Sequence, residues 1–215
     1  MFQRTKRDRI TSDKEWAITT LSGDAIDIFA PIGDIIKVIN LRDIARALSN
    51  QCRYNGQVVR YYSVAQHSVL VSRILGKADY GIEVRLAGLL HDSAEAYLGD
   101  IVGPLKKRIV GLHGPDGVTV PFDDIEEKLL SAILFVVGGK SLCETYNEHM
   151  NAIKHADLIA LSTENRDLRP PCAVTSRKLP EPIKKAIYAR HSGEAFSQFV
   201  AELAGFGVSL PPEDS

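Results

Sequence analysis

Three stretches of this 215-residue chain put polar, metal-capable side chains where an amphipathic helix would bury them. They are SVAQHSVLVSRIL with His67, VRLAGLLHDSAEAYLGD with His91 and Asp92, and NAIKHADLIALSTENRDL with Asp157. Residues three and four apart share a helix face. His67 therefore lies with Val64, Val71 and Ile74, His91 with Ala87, Ala94 and Glu95, and Asp157 with Ile153, Ala160 and Leu161. Asp92 follows His91 by about 100° round the helix. Burying one uncompensated imidazole or carboxylate is costly. Taken singly, His67 reads as a satisfied core histidine, Asp92 as a partner for the His91 ring and Asp157 as the mate of a buried arginine. Together those readings need three coincidences on three core faces. A divalent cation shared by facing helices answers all of them at once.

The rest of the chain sets the frame. Its length suffices for one domain with a sizeable core, and 45% apolar and 25% charged residues are ordinary for a globular protein. A net charge of -1 argues against a dedicated binder of nucleic-acid polymers, and the basic run Arg4, Lys6, Arg7, Arg9 reads as a solvated tail. The N-terminus has no apolar core of a secretory signal. No apolar stretch approaches the roughly 20 residues that span a bilayer, so no membrane partner is expected. Cys52, Cys143 and Cys172 form no C-x-x-C and read as reduced thiols of a cytoplasmic protein.

The predicted fold class is all-α, one domain over 1–215 with its core at about 40–205, a small β-hairpin at about 16–29 and a frayed C-terminal tail. The hairpin rests on the β-branched WAITTLSGDAIDIF with Ser22-Gly23-Asp24 as its turn. Asn40 caps a helix to about Ser49 with Ile44, Ala47 and Leu48 inward. Ser63 and Gln66 form a capping box for the helix of His67. A further helix runs from about Ile82 to Leu98, closed by Gly99. Pro104 starts a short basic helix, and GLHGPDGVTVP reads as a loop. Asp123 with Glu126 opens a helix ending at Gly138-Gly139, and Ser141 with Glu144 opens another to about Asp167. Pro170-Pro171 stop it, and two shorter helices end near Gly205.

Nitrogen and carboxylate ligands without thiolates suit one divalent ion such as Mn, Fe, Co, Ni or Zn. Four protein ligands leave room for water and substrate, the mark of a catalytic rather than structural ion. Glu95, on the His91 face, is placed to shuttle a proton to or from an attacking water.

These residues carry a resemblance. The order H…HD…D, with HDSAEAYLGD in the middle helix and P-x-K after it, resembles the HD-domain metal-dependent phosphohydrolases. It is most similar to the bacterial 5′-deoxynucleotidases and their phage dATP triphosphohydrolase relatives, over about Ser49 to Asp167. The resemblance implies a helical bundle in which His67, His91, Asp92 and Asp157 bind one divalent ion. It makes Glu95 the general acid/base and Asp100 an assisting carboxylate. It puts Arg53 and Tyr54, where the deoxynucleotidases have Arg-Trp, on the nucleotide, and Lys106 beside phosphate. Tyrosine in place of tryptophan leaves base preference open. A guanidinium at Arg53 suits bidentate phosphate recognition.

The implied activity is hydrolysis of a deoxyribonucleoside 5′-monophosphate, with release of tripolyphosphate from a triphosphate as the alternative and a non-catalytic nucleotide-binding module as the second. A di-iron oxidase needs more histidines than His113, His149 and His155 supply and has no glutamate at position 95. The expected partner is a small-molecule nucleotide, and the family implies a homo-oligomer.

Overall fold

The computed structural model describes residues 17–170 and 178–211. The basic N-terminal run, Trp16, Pro171, Cys172 and the end of the C-terminal tail lie outside them. Within them the chain is a helical bundle: α1 (Ile32–Val38), α2 (Leu41–Asn50), α3 (Val64–Lys77), α4 (Ile82–Leu90), α5 (Glu95–Leu98), α6 (Gly103–Lys106), α7 (Phe122–Glu148), α8 (Met150–Leu168) and α9 (Ser192–Gly205). The expected hairpin precedes it, β1 (Ile18–Thr19) pairing with β2 (Ala25–Ile26). Gly23 takes φ +83 in its turn, where Thr20 N–H bonds to Asp24 O at 2.8 Å.

Helix α3 is the hub, packing against α2, α4, α8 and α9. Ser63 caps it by accepting the Gln66 N–H at 3.2 Å. The box stays half open, because Gln66 reaches instead to the segment before α9, donating to Tyr188 O and accepting from Arg190 N–H. Asn40 caps α2 through the Arg42 N–H. Ile44 and Leu48 are fully buried there, and Ala45 rather than Ala47 completes the inner face. Helices α3 and α4 meet closely at Gly88, where an added Cβ would lie 2.3 Å from Leu75 Cδ1.

Several expectations are corrected. The helix predicted from Ile82 to Leu98 breaks after Leu90 and resumes at Glu95. The segment read as a loop is a second hairpin, β3 (Gly111–His113) with β4 (Thr119–Pro121), because Leu112 and Val120 pair across a Gly114–Gly117 turn. Asp123 lies inside α7, whose N-cap position is Pro121, so no capping box forms. The break at Gly138-Gly139 is present, with Gly139 at φ 63, ψ -157. The helix from Ser141 does not run on to Asp167 but is interrupted at His149 (φ -106, ψ 13). Among the described residues after Pro170 there is one helix, α9.

Helix α7 is also long and apolar enough, at a mean hydropathy of 1.3, to cross a bilayer by length and composition, contrary to the sequence reading. It is kinked at its glycines, buries Ile125, Leu129 and Ile133, and packs on α1 and α4. Core packing accounts for its buried residues, while Phe135 and Val136 are exposed.

Candidate metal centre

His67 stands one turn into α3 and is wholly buried. Where α4 ends, the chain tightens: Ser93 N–H bonds to Leu90 O at 2.9 Å, Glu95 N–H to Asp92 O at 3.0 Å and Tyr97 N–H to Ala94 O at 3.1 Å. These bonds reach three residues back, as in a 3₁₀ turn, so side chains advance faster round the axis than in an α-helix. His91 and Asp92 sit in that turn and Glu95 just after it. Asp157 comes from the middle of α8, which packs on α3.

The structure brings all four proposed ligands together. His67, His91 and Asp157 offer ligand atoms that lie within 4.8 Å of one another. Asp92 stands between the rings, one oxygen 3.4 Å from His67 Nε2 and the other 3.2 Å from His91 Nε2. His67 Nε2 is 3.2 Å from Asp157 Oδ1.

Each imidazole is anchored through its other nitrogen. His91 Nδ1 bonds to Gly88 O at 2.8 Å and His67 Nδ1 to Glu164 Oε1 at 2.7 Å. Both Nε2 atoms are then buried without a hydrogen-bond partner. A ring held at Nδ1 with Nε2 free is the usual state of a metal-binding histidine. Burial and the nearby Arg53 charge would lower the His67 pKa, yet Glu164, Asp157 and Asp92 together raise it well above the ordinary value. The site thus attracts positive charge, as a proton or as a cation. Two nitrogens and two carboxylates converging on orphaned Nε2 atoms fit a divalent ion of the Mn-to-Zn series.

The remaining predicted residues surround this cluster. Glu95 has a buried, unpartnered Oε2. Its carboxyl pKa is pushed well above the usual range by burial, then by the charges of Asp92 and Asp100. Asp100, after Gly99 at φ +82, accepts the Tyr54 N–H at 3.0 Å. Arg53 and Tyr54 lie in a 3₁₀ turn, Arg53–Gly56, before α3. The backbone pairing of Arg53 N–H to Tyr62 O and Val64 N–H to Gln51 O holds this turn over the start of α3. Arg53 is almost completely buried and pairs with Glu164 Oε2 at 3.3 Å and Asp92 Oδ2 at 3.4 Å. Tyr54 donates its hydroxyl to Glu164. Lys106 is paired with Glu126 and lies over the Phe122 ring.

Sequence reasoning missed Glu164. It lies seven residues after Asp157 on α8 and is fully buried. Burial alone would push its pKa up, but Arg53 and the bonds from His67 and Tyr54 bring it below the usual range. Its signal was legible: i and i+7 share a helix face, so a glutamate there is as misplaced in an apolar core as Asp157. Gln51, which donates to Glu95 O at 2.8 Å, was missed too. Polar loop residues give no such signal.

Comparison with known proteins agrees with this geometry. The HD domain family matches residues 64–193. The uncharacterized protein YfdR of Escherichia coli (strain K12) is 38% identical over 130 residues, covering 60% of this chain and 61% of YfdR. An uncharacterized protein of Rhodobacter capsulatus is 42% identical over 93 residues, covering 41% of this chain and 46% of that protein. The chain thus spans less than two thirds of each of these relatives. With the family match covering more than half of its length, the chain belongs to the HD-domain family.

Proposed function

We propose that this protein hydrolyses a deoxyribonucleoside 5′-monophosphate to deoxynucleoside and phosphate at the His67–His91–Asp92–Asp157 centre. The observation that carries the reading is the pair of buried, unpartnered imidazole Nε2 atoms beside the buried, unpartnered Glu95 carboxylate oxygen. When bound, a divalent ion supplies Lewis-acid polarisation of phosphoryl oxygen and water. The residues around it do the rest. Glu95, made more basic by burial beside Asp92 and Asp100, accepts the proton of the attacking water as the new P–O bond forms. It returns the proton to the O5′ leaving group as the old bond breaks. Asp100 holds the Tyr54 backbone and so sets the turn over the site. Arg53 Nη1, shared with Asp92, is the donor best placed to turn to a phosphate oxygen.

The monophosphate is taken as the simplest substrate because the two cations assigned to phosphate are both already engaged by carboxylates. Arg53 is already paired with Glu164 and Asp92, and Lys106 with Glu126. A triphosphate would need more free cations to neutralise it. The free thiols of Cys52 and Cys143 suit the reducing cytoplasm, where such nucleotides are met. The test is a panel of nucleoside mono- and triphosphates with Mn, Co, Ni and Zn, detecting phosphate and tripolyphosphate separately. Phosphate from deoxynucleoside monophosphates is expected. Tripolyphosphate would move the assignment to a triphosphohydrolase, and no turnover with any metal would leave a nucleotide-binding module.

A further inference from the structure

Glu164 meets three donors from two parts of the chain with a side chain that has no solvent exposure. His67 Nδ1 is 2.7 Å from Oε1, Arg53 Nε is 3.3 Å from Oε2, and the Tyr54 hydroxyl donates to Oε2. Arg53 Nη1 continues to Asp92 Oδ2 at 3.4 Å, which is itself 3.4 Å from His67 Nε2. The contacts close a ring, His67–Glu164–Arg53–Asp92, that contains two of the four metal-site side chains. Its far side is the Arg53–Gly56 turn. Tyr54 and Asn55 there have φ of 59° and 51°, a left-handed conformation that asparagine tolerates but a tyrosine rarely adopts unless its surroundings favour it. The favouring contacts are the Tyr54 hydroxyl on Glu164, its N–H on Asp100, and the guanidinium groups of Arg53 and Arg169 at 5.3 and 5.0 Å from its ring centre.

We propose that Glu164 is a positioning residue that ties this turn to the metal ligand His67, so that the metal site is complete only when the turn is seated. Tyr54 is then a strut of the metal site, with its hydroxyl engaged inside the protein. A tryptophan carries only an N–H donor at a different reach, which gives Tyr54 a reason independent of base preference. This inference rests on the metal reading above but not on any hydrolysis, and its test uses no nucleotide.

The measurement is titration of Co²⁺ alone into the metal-free full chain, followed by visible absorption. It is paired with histidine ¹⁵N shifts of the metal-free protein. Glu164→Gln keeps the shape and an acceptor for His67, but removes the charge and turns an NH₂ group toward the donors Arg53 and Tyr54. With its cooperative thermal transition retained, this variant should bind Co²⁺ about 10–100-fold more weakly, the usual effect of losing an outer-shell partner. The His67 Nδ1–H, now facing a neutral amide oxygen in place of a carboxylate, should shift its ¹⁵N resonance. Tyr54→Phe, which deletes one hydroxyl, should weaken Co²⁺ by about 3–10-fold, the scale of coupling within one hydrogen-bond network.

A folded Glu164→Gln with wild-type Co²⁺ affinity overturns the proposal. So does weaker binding with an unchanged His67 resonance, since Glu164 would then act by bulk charge alone. Wild-type affinity in Tyr54→Phe overturns the link to the turn, and that variant decides the matter if Glu164→Gln does not fold. Failure of the nucleotide panel would strike the hydrolase reading while leaving these metal titrations intact.

Discussion

A carboxyl group that has lost its water and faces two other acids holds its proton more tightly than one in solvent. Glu95 is in that position beside Asp92 and Asp100, and it stands outside the His67, His91 and Asp157 atoms that converge within 4.8 Å of one another. Glu95→Ala should therefore keep metal affinity and lose turnover by about 10²–10⁴-fold, the usual range for a general acid/base; unchanged activity would remove Glu95 from the mechanism. His67 yields a second expectation. Its pKa is raised by Glu164, Asp157 and Asp92 against the effect of burial. In the metal-free protein the ring therefore stays protonated at a pH where an ordinary histidine, near pH ~6.5, is already neutral. A metal must displace that proton, so Co²⁺ affinity should rise with pH and keep rising above this value, by up to about tenfold per pH unit. Calorimetric titrations at stepped pH would show it, and an affinity flat across neutral pH would mean His67 is not a ligand. His67, His91, Asp92 and Asp157 were legible because burial makes a polar residue conspicuous on an apolar face. The pairing of Arg53 with Glu164 and Asp92 was not, because it joins residues far apart in sequence and no local pattern records it.

Helix α3 and the turn that ends α4 carry three of the four proposed ligands, and the spacing of α3 and α4 is set where Gly88 leaves room for Leu75. The Gly88 carbonyl also anchors His91 Nδ1. Gly88→Ala would place a methyl group 2.3 Å from a Leu75 side chain that is only 1% exposed. Leu75 would have to change rotamer in a packed core or the helices would have to part, and overpacking of this kind costs about 1–3 kcal/mol. The better helix propensity of alanine returns about 1 kcal/mol. The expected net result is a lower thermal midpoint together with weaker metal binding, since the His91 anchor moves with the helix. A midpoint at or above wild type would show that Leu75 yields without moving α4. Element starts were read well where a side chain caps them, as at Asn40 and Ser63. The break at residues 91–94 was not, because HDSA has no glycine or proline and its apolar spacing continues through the tightened turn. The β3–β4 hairpin was hidden by the reverse effect: glycine and proline dominate its composition, while its pairing residues, Leu112 and Val120, are few.

At the scale of the whole molecule, the ligands come from α3, from the turn after α4 and from α8, so the centre joins elements distant in sequence. The bundle itself was legible from periodicity, whereas the placement of α3 against four other helices depends on which faces fit together. In the metal-free protein those elements converge on Asp92 and Asp157, whose pKa burial alone would raise but which the imidazoles hold below the usual carboxylate range. A cation that binds this arrangement and not the unfolded chain stabilises the fold by mass action, about 2.7 kcal/mol at a free concentration 100 times its dissociation constant. For a chain of this size, 1 kcal/mol moves the midpoint by about 2–4 °C. Saturating Co²⁺ or Mn²⁺ should therefore raise the thermal midpoint of the metal-free protein by about 5–10 °C, and a chelator should reverse it. Asp157→Ala removes the ligand supplied by α8 and should abolish most of that shift, with some fall in the metal-free midpoint as its pairing with His67 is lost. A full metal-induced shift in Asp157→Ala would mean that the ion sits elsewhere and that α8 is held to α3 by Glu164 and packing alone.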